Sequence, residues 1–192
     1  MSECVETSLA ETETAVFRSQ DGSHPPDASG WMRPPRKTDA AAIHRLIADC
    51  PPLDLNSVYT YLLLSEHFSG TCVLAGSGDA IEGFISGYVP PGRPDVLFIW
   101  QVAVDHRARG KRLARRMLHA LLRRPALSGI RYVETTVGPA NLASRGVFAG
   151  LAQDLGAPLR EQILFPPCLF GAQHHEDEPL LRIGPFRILK AC

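Results

Sequence analysis

Residues 1–30 carry few apolar positions and are rich in Ser, Thr and Asp, with Pro25-Pro26 near their end. That composition predicts a disordered extension. From Trp31 onward the apolar positions become periodic. A short strand is expected around Trp31–Arg33. Thr38 or Asp39 then caps a helix whose Ala42, Ile43, Leu46 and Ile47 lie on one stripe, and Pro51-Pro52 stops it. A second helix starts at the Asn56-Ser57 cap, runs through Leu62 and Leu63 and ends near Gly70. Thr71–Ala75 and Ala80–Val89 read as two strands of a hairpin across Gly76-Ser77-Gly78-Asp79. Val96–Val104 is almost continuously apolar, so it is expected to be a central strand covered on both faces.

The helical period returns from about Gly110 to Arg124. Leu113, Ala114, Met117, Leu118, Leu121 and Leu122 form its inner stripe, while Arg112, Arg115, Arg116, His119 and Arg123 face outward. A strand over Ile130–Val137, a helix over Asn141–Leu155, and strands near Leu159–Phe165 and Leu180–Ile188 complete the chain. The order predicts one α/β domain over 31–192, a mixed sheet with helices on both faces. At 192 residues the chain is long enough to bury such a core.

Charge sharpens this picture through its distribution. Lys plus Arg equals Asp plus Glu. Yet residues 1–30 hold six acids against Arg18, and the stretch from His106 to Arg124 holds eight Lys or Arg and no acid. One concentrated basic segment in a neutral chain points to a specific anion. Aromatic residues are not interleaved with these bases, which argues against nucleic acid. No apolar run approaches the ~20 residues that cross a bilayer, and the N-terminus lacks a secretory pattern. The five cysteines are scattered without a C-x-x-C pair, so neither a disulfide framework nor a metal site is expected. The expected setting is cytoplasmic.

The chemistry concentrates in Val102-Ala103-Val104-Asp105-His106-Arg107-Ala108-Arg109-Gly110-Lys111-Arg112-Leu113-Ala114. A buried strand feeds a basic loop and then a helix whose first amides, including those of Leu113 and Ala114, lack intrahelical acceptors. A diphosphate fits there, with charge from Arg109 and Lys111 and close approach at Gly110. The P-loop pattern G-x-x-x-x-G-K-S/T and the dinucleotide pattern G-x-G-x-x-G are both absent.

This segment resembles the acetyl-CoA-binding motif of GNAT acetyltransferases, Q/R-x-x-G-x-G/A, through Arg107 and Gly110. Arg112 departs from it. A first helical turn has negative φ, so Arg112 is expected to be tolerated there. The resemblance implies the GNAT fold, acetyl-CoA as co-substrate and no metal. It also implies backbone contacts from Val102 and Val104, Asn141 near the pantetheine or diphosphate arm, and commonly a homodimer. Phe148 occupies the place where many members carry a tyrosine that protonates the leaving thiolate.

Longer stretches are similar to the diaminobutyrate acetyltransferases of the ectoine pathway. They are Pro52-Leu53-Asp54-Leu55-Asn56-Ser57 with Tyr59 to Leu64, Phe84-Ile85-Ser86-Gly87-Tyr88-Val89-Pro90-Pro91, Trp100-Gln101-Val102-Ala103-Val104-Asp105, Tyr132-Val133-Glu134-Thr135-Thr136-Val137 and His175-Glu176-Asp177-Glu178-Pro179-Leu180. The resemblance implies acetylation of the 4-amino group of L-2,4-diaminobutyrate, the step that supplies the precursor of ectoine. Two ammonium groups and a carboxylate require acids and at least one donor. The resemblance would bring Asp54, Asn56 and Tyr59 together with Trp100, His175 and Glu178 over the thioester. Glu134, Glu178 or a water chain is then the base, and Tyr59 the acid. Plainer roles compete: Asp54 as a turn cap, Glu176–Glu178 as a solvated loop, His175 as a surface side chain, Trp100 as core. So do two other functions, a GNAT enzyme for another amine or polyamine and a non-catalytic acetyl-CoA-binding module.

Overall fold

In the computed structural model, residues 30–170 and 178–187 are described. The acidic segment before Gly30 and the run His174–Asp177 lie outside them. The strands are β1 (Trp31–Arg33), β2 (Val73–Ser77), β3 (Ala80–Tyr88), β4 (Val96–Val104), β5 (Tyr132–Thr136), β6 (Leu159–Phe165) and β7 (Glu178–Ile183). They form one sheet in the order β1-β2-β3-β4-β5-β7-β6. Only β4 and β5 pair in parallel; the other neighbours are antiparallel. The helices are α1 (Ala40–Ala48), α2 (Val58–His67), α3 (Leu113–Leu122) and α4 (Leu142–Asp154).

Two apolar clusters sandwich the sheet. Met117, Leu118 and Leu121 of α3 join Phe148 and Leu151 of α4 against Ile85, Leu97, Ile99, Val133 and Leu181. On the other side, Ile43 and Ile47 of α1 and Tyr61 and Leu64 of α2 pack on Leu74, Phe84 and Ala103. This second cluster contains no residue of β5, β6 or β7. Helices α1 and α2 therefore cover only half of their face of the sheet.

Several boundaries differ from the expected ones, each for a local reason. Ser69–Thr71 form a 3-10 turn, in which the Thr71 hydroxyl bonds the carbonyls of Phe68 (3.0 Å) and Gly87 (2.6 Å). β2 accordingly starts at Val73, and its hairpin turn narrows to Gly78-Asp79. Asp39 stands at the α1 cap but makes no side-chain cap bond to the helix. Its carboxylate accepts from Arg33 (2.7 and 2.9 Å) and from the Arg36 amide (2.7 Å), which lowers its pKa, chiefly through Arg33, and ties the helix start to β1. β7 stops at Ile183, before Gly184-Pro185, because Pro lacks the N–H a ladder needs.

α3 and α4 are joined by charge at one end. Asp154 accepts from Arg115 Nε (3.1 Å) and Nη2, and pairs with His119 Nε2 at 2.9 Å. Gly150 makes room, because a Cβ there would lie 2.8 Å from Arg115 Nη1. Arg115 first, then His119, hold the Asp154 carboxyl down at about 2, against an ordinary 3.8. A depressed folded-state pKa adds stability above the ordinary value, and that stability is lost as pH falls through the folded one. The stability gap between wild type and Asp154→Asn should therefore close as pH falls from 3.8 toward about 2. Urea denaturation across that range checks this; a gap independent of pH would refute it.

Candidate active site

β4 and β5 pair from Val96↔Tyr132 to Ile99↔Thr135 and no further, although β4 continues to Val104. The strands part there, and a cavity of about 470 Å³ opens beside the gap. Val102 and Val104 form its floor. Arg109, Gly110, Arg112, Leu113 and Ala114 line one wall, and Asn141, Ser144 and Val147 at the start of α4 line another. Cys50, Pro51, Pro52 and Leu53, between α1 and α2, close the remaining side. Lys111, expected to add charge, is exposed and does not line the cavity.

The turn that enters α3 is built by the backbone. Asp105 Oδ1 accepts from the Arg107 amide (2.8 Å) and starts the 3-10 turn His106–Ala108. Arg109 Nε donates to the Val104 carbonyl at 3.2 Å, and the Cys50 thiol donates to the same oxygen at 3.4 Å. Gly110 has φ +77°, and Arg112, the residue before α3, has φ 56° and ψ 25°. The expectation of negative φ at Arg112 is thus overturned, and α3 begins at Leu113 instead of Gly110. A left-handed conformation costs a non-glycine residue about 1–2 kcal/mol, which explains a Gly in the motif at that place. Amides after left-handed residues and at a free helix start form an anion-binding concavity. Asn141 Oδ1 accepts from the Ser144 amide (3.1 Å), so this residue both caps α4 and lines the cavity. Phe148 is buried in the core, away from the cavity.

Beyond the parting, β4 carries a bulge. Gln101 pairs with Ser86 and Ile99 with Gly87, which leaves Trp100 as the extra residue, 44 % exposed. Trp100 is therefore not core. Gln101, only 4 % exposed, reaches toward the α1–α2 connection, where its Nε2 donates to the Asp54 carbonyl at 2.8 Å. Its own amide donates to Ser86 Oγ (3.2 Å). Gln101 had no role in the sequence analysis, though a lone amide in an apolar strand was a signal that a buried partner awaits it. The same connection thus contributes Leu53 to the cavity and fixes Asp54 beside it. Asn56 lies two residues on, its amide 3.4 Å from the Tyr61 hydroxyl, and Tyr59 projects into solvent, 66 % exposed. Glu178 is the half-buried first residue of β7; His175 lies outside the described residues.

Glu134 differs from expectation. Its carboxylate accepts from Arg93 Nη1 at 3.0 and 2.8 Å and from Arg182 Nη1, with 1 % of the side chain exposed. Two guanidiniums hold both of its oxygens in a buried site, where their positive charge disfavours its taking up a proton from an incoming amine. This geometry speaks against Glu134 as the general base. Among the described residues, no group of three or more His, Cys, Asp or Glu is placed to hold a metal ion.

Residues 40–151, more than half of the chain, match the acetyltransferase (GNAT) family. The chain belongs to the GNAT acetyltransferases. Within that family its relatives are specific. The L-2,4-diaminobutyric acid acetyltransferase of Bordetella parapertussis is 59 % identical over 81 % of this chain and 84 % of its own. The protein of the same name from Halomonas elongata is 44 % identical over 82 % of each. Among solved structures, the diaminobutyrate acetyltransferase EctA from Paenibacillus lautus, in complex with its substrate L-2,4-diaminobutyric acid and coenzyme A, superposes with a TM-score of 0.81. That match is 39 % identical and covers 86 % of this chain and all of that one.

The GNAT motif turn yields a paired expectation. Gly110→Val should raise the acetyl-CoA KM at least tenfold, because a β-branched residue resists φ +77° and the turn must rearrange. Arg112→Gly removes left-handed strain, so it should raise thermal stability and leave the acetyl-CoA KM within a few-fold. Loss of binding in Arg112→Gly beside a harmless Gly110→Val would show that side-chain charge, not the backbone turn, holds the cofactor.

Proposed function

We propose that this enzyme transfers acetyl from acetyl-CoA to the 4-amino group of L-2,4-diaminobutyrate, supplying the precursor of ectoine. The observation that carries the reading is the α1–α2 connection, whose Leu53 borders the cofactor cavity while Asp54 is tied to the β4 bulge. That connection and the bulge lie in the stretches whose sequence resembles the diaminobutyrate acetyltransferases. Asp54, Asn56, Tyr59, Trp100, His175 and Glu178 form the acceptor site in this reading.

The reacting amine, with a solution pKa near ~10, must lose a proton before it attacks the thioester. The nitrogen then bonds to the acetyl carbon, the carbon–sulfur bond breaks, the nitrogen sheds its second proton and the thiolate takes one up. Glu178 or a water chain serves as base, and Tyr59 remains the candidate acid. Backbone amides exposed where β4 and β5 part polarise the carbonyl. The enzyme acts in the cytoplasm as a homodimer in this proposal. The outer side of α2 supports a second copy, because Val58, Tyr59, Leu62 and Leu63 are all exposed there.

Asp54→Asn and Glu178→Gln keep shape and lose charge. Each should cut kcat/KM for diaminobutyrate by roughly ten- to a thousandfold while acetyl-CoA affinity stays within a few-fold. If Glu178 is the base, its variant should lose kcat more than KM and recover partly at high pH. Thiol release with a panel of diamines tests the whole reading: ornithine, with one more methylene, should be poorer by about ten- to a hundredfold. Equal efficiency on ornithine, a 2-acetyl product, or coenzyme A binding without turnover would overturn it.

A further inference from the structure

A 2,4-diamino acid carries a carboxylate as well as two ammonium groups, and the acceptor residues named so far are acids, an amide and aromatics. A second cluster on the same face of the sheet has the opposite character. Arg93, from the loop before β4, and Arg182, from β7, converge on the buried carboxylate of Glu134. Phe98, Glu134 and Arg182 are register partners across β4, β5 and β7, on the half of the sheet that α1 and α2 leave uncovered. Two guanidiniums against one carboxylate leave one net positive charge. Each arginine gives Glu134 only its Nη1, so Nε and Nη2 keep donors free of bonds to the described residues. Both side chains reach solvent, Arg93 at 46 % and Arg182 at 35 %. Arg182 is also held flat, its Cζ 3.9 Å above the Tyr132 ring.

We infer that Arg93 and Arg182, oriented by Glu134, bind the carboxylate of the amino-acid acceptor. The inference rests on the acceptor reading above and gives it the cationic half it lacks. Position supports it. Glu134 stands one residue before Thr135, where β4 and β5 part. At ~3.3 Å per strand residue, Glu134 is within about 7 Å of the gap, and its two arginines are bonded to it. The 4-amino nitrogen and the carboxyl carbon of diaminobutyrate are about 5 Å apart when extended, by standard bond lengths. Chemistry supports it too, because a planar guanidinium with two free donors matches a carboxylate bidentately. A buried acid that fixes both arginines removes the rotamer entropy that binding would otherwise cost. Glu134 is thus a positioning residue.

The distinguishing substrate is 1,3-diaminopropane, the same diamine without the carboxylate. Wild-type enzyme should use it at least about tenfold less efficiently than diaminobutyrate, and the difference should lie mainly in KM. Arg93→Gln and Arg182→Gln should each lower kcat/KM for diaminobutyrate about ten- to a hundredfold and change that for diaminopropane less than about threefold. Arg182→Lys, which keeps charge but not the fork, should recover part of the loss. A purely structural triad would depress both substrates alike and lower Tm in parallel, and that result overturns the inference. So does a wild-type enzyme that accepts diaminopropane as well as diaminobutyrate, whatever the variants do. Wild-type turnover of neither amine would instead overturn the reading on which this one rests.

Discussion

The short parallel pairing of β4 and β5 is the constraint on which the rest of this molecule depends. Four register pairs join the strands, and after Ile99 and Thr135 they diverge. Parallel strands in a sheet ordinarily continue side by side, because an unpaired backbone inside a protein forfeits its hydrogen bonds. Here α3 and α4 follow the two strands apart, each packed on its own half of the sheet. The gap is consequently walled by two helix starts, Leu113–Ala114 and Asn141–Ser144, on one side of the floor made by Val102 and Val104. Helix starts offer amides and partial positive charge, and the cavity joins that polarity to the backbone of an open strand. A long ligand with an anionic end and a reactive end is the shape this arrangement selects.

The bulge at Trp100 ties β4 to the α1–α2 connection. Removing one residue from the β3–β4 register turns Trp100 outward and brings Gln101 under the α1–α2 connection. The hydrogen bond from the Gln101 side-chain amide to the Asp54 carbonyl fixes the loop through its backbone, leaving the Asp54 carboxylate outside that bond. Backbone anchoring of this kind separates two demands that a loop side chain cannot meet at once, holding its place and meeting a substrate. Pro51 and Pro52 add to it by restricting the chain just before Asp54. The cavity wall at Cys50–Leu53 and the anchored Asp54 are thus one continuous segment of chain.

Much of this was legible in the residues, and the failures have physical causes. β4 and β6 were read with their observed ends, because a continuous apolar run and turn residues mark them. The two helices around the gap are where the periodicity predicts them, apart from the start of α3, and eight of the nine expected cofactor contacts line the cavity. What periodicity cannot express is backbone hand: Arg112 looks like ordinary helix start and sits in the left-handed region. Nor does it express pairing between distant side chains. Glu134 read as an available carboxylate because Arg93 and Arg182, 41 and 48 residues away, were invisible to a local scan. Gln101 was passed over for the same reason, its partner being 47 residues upstream.

Glu134 shows how burial changes what a carboxylate is for. An acid 1 % exposed in a sheet could only be retained if paired, and pairing it with two arginines engages both of its oxygens. Its value then passes to the partners, whose Nη1 groups it holds in place. Asp54 is exposed in the α1–α2 connection and Glu178 is half-buried at the start of β7. In the acceptor reading proposed above, Asp54 and Glu178 supply negative charge and Arg93 and Arg182 positive charge at different parts of the surface. An acceptor with charges of both signs is oriented by such a field before any catalytic group engages it, and a plain diamine is not.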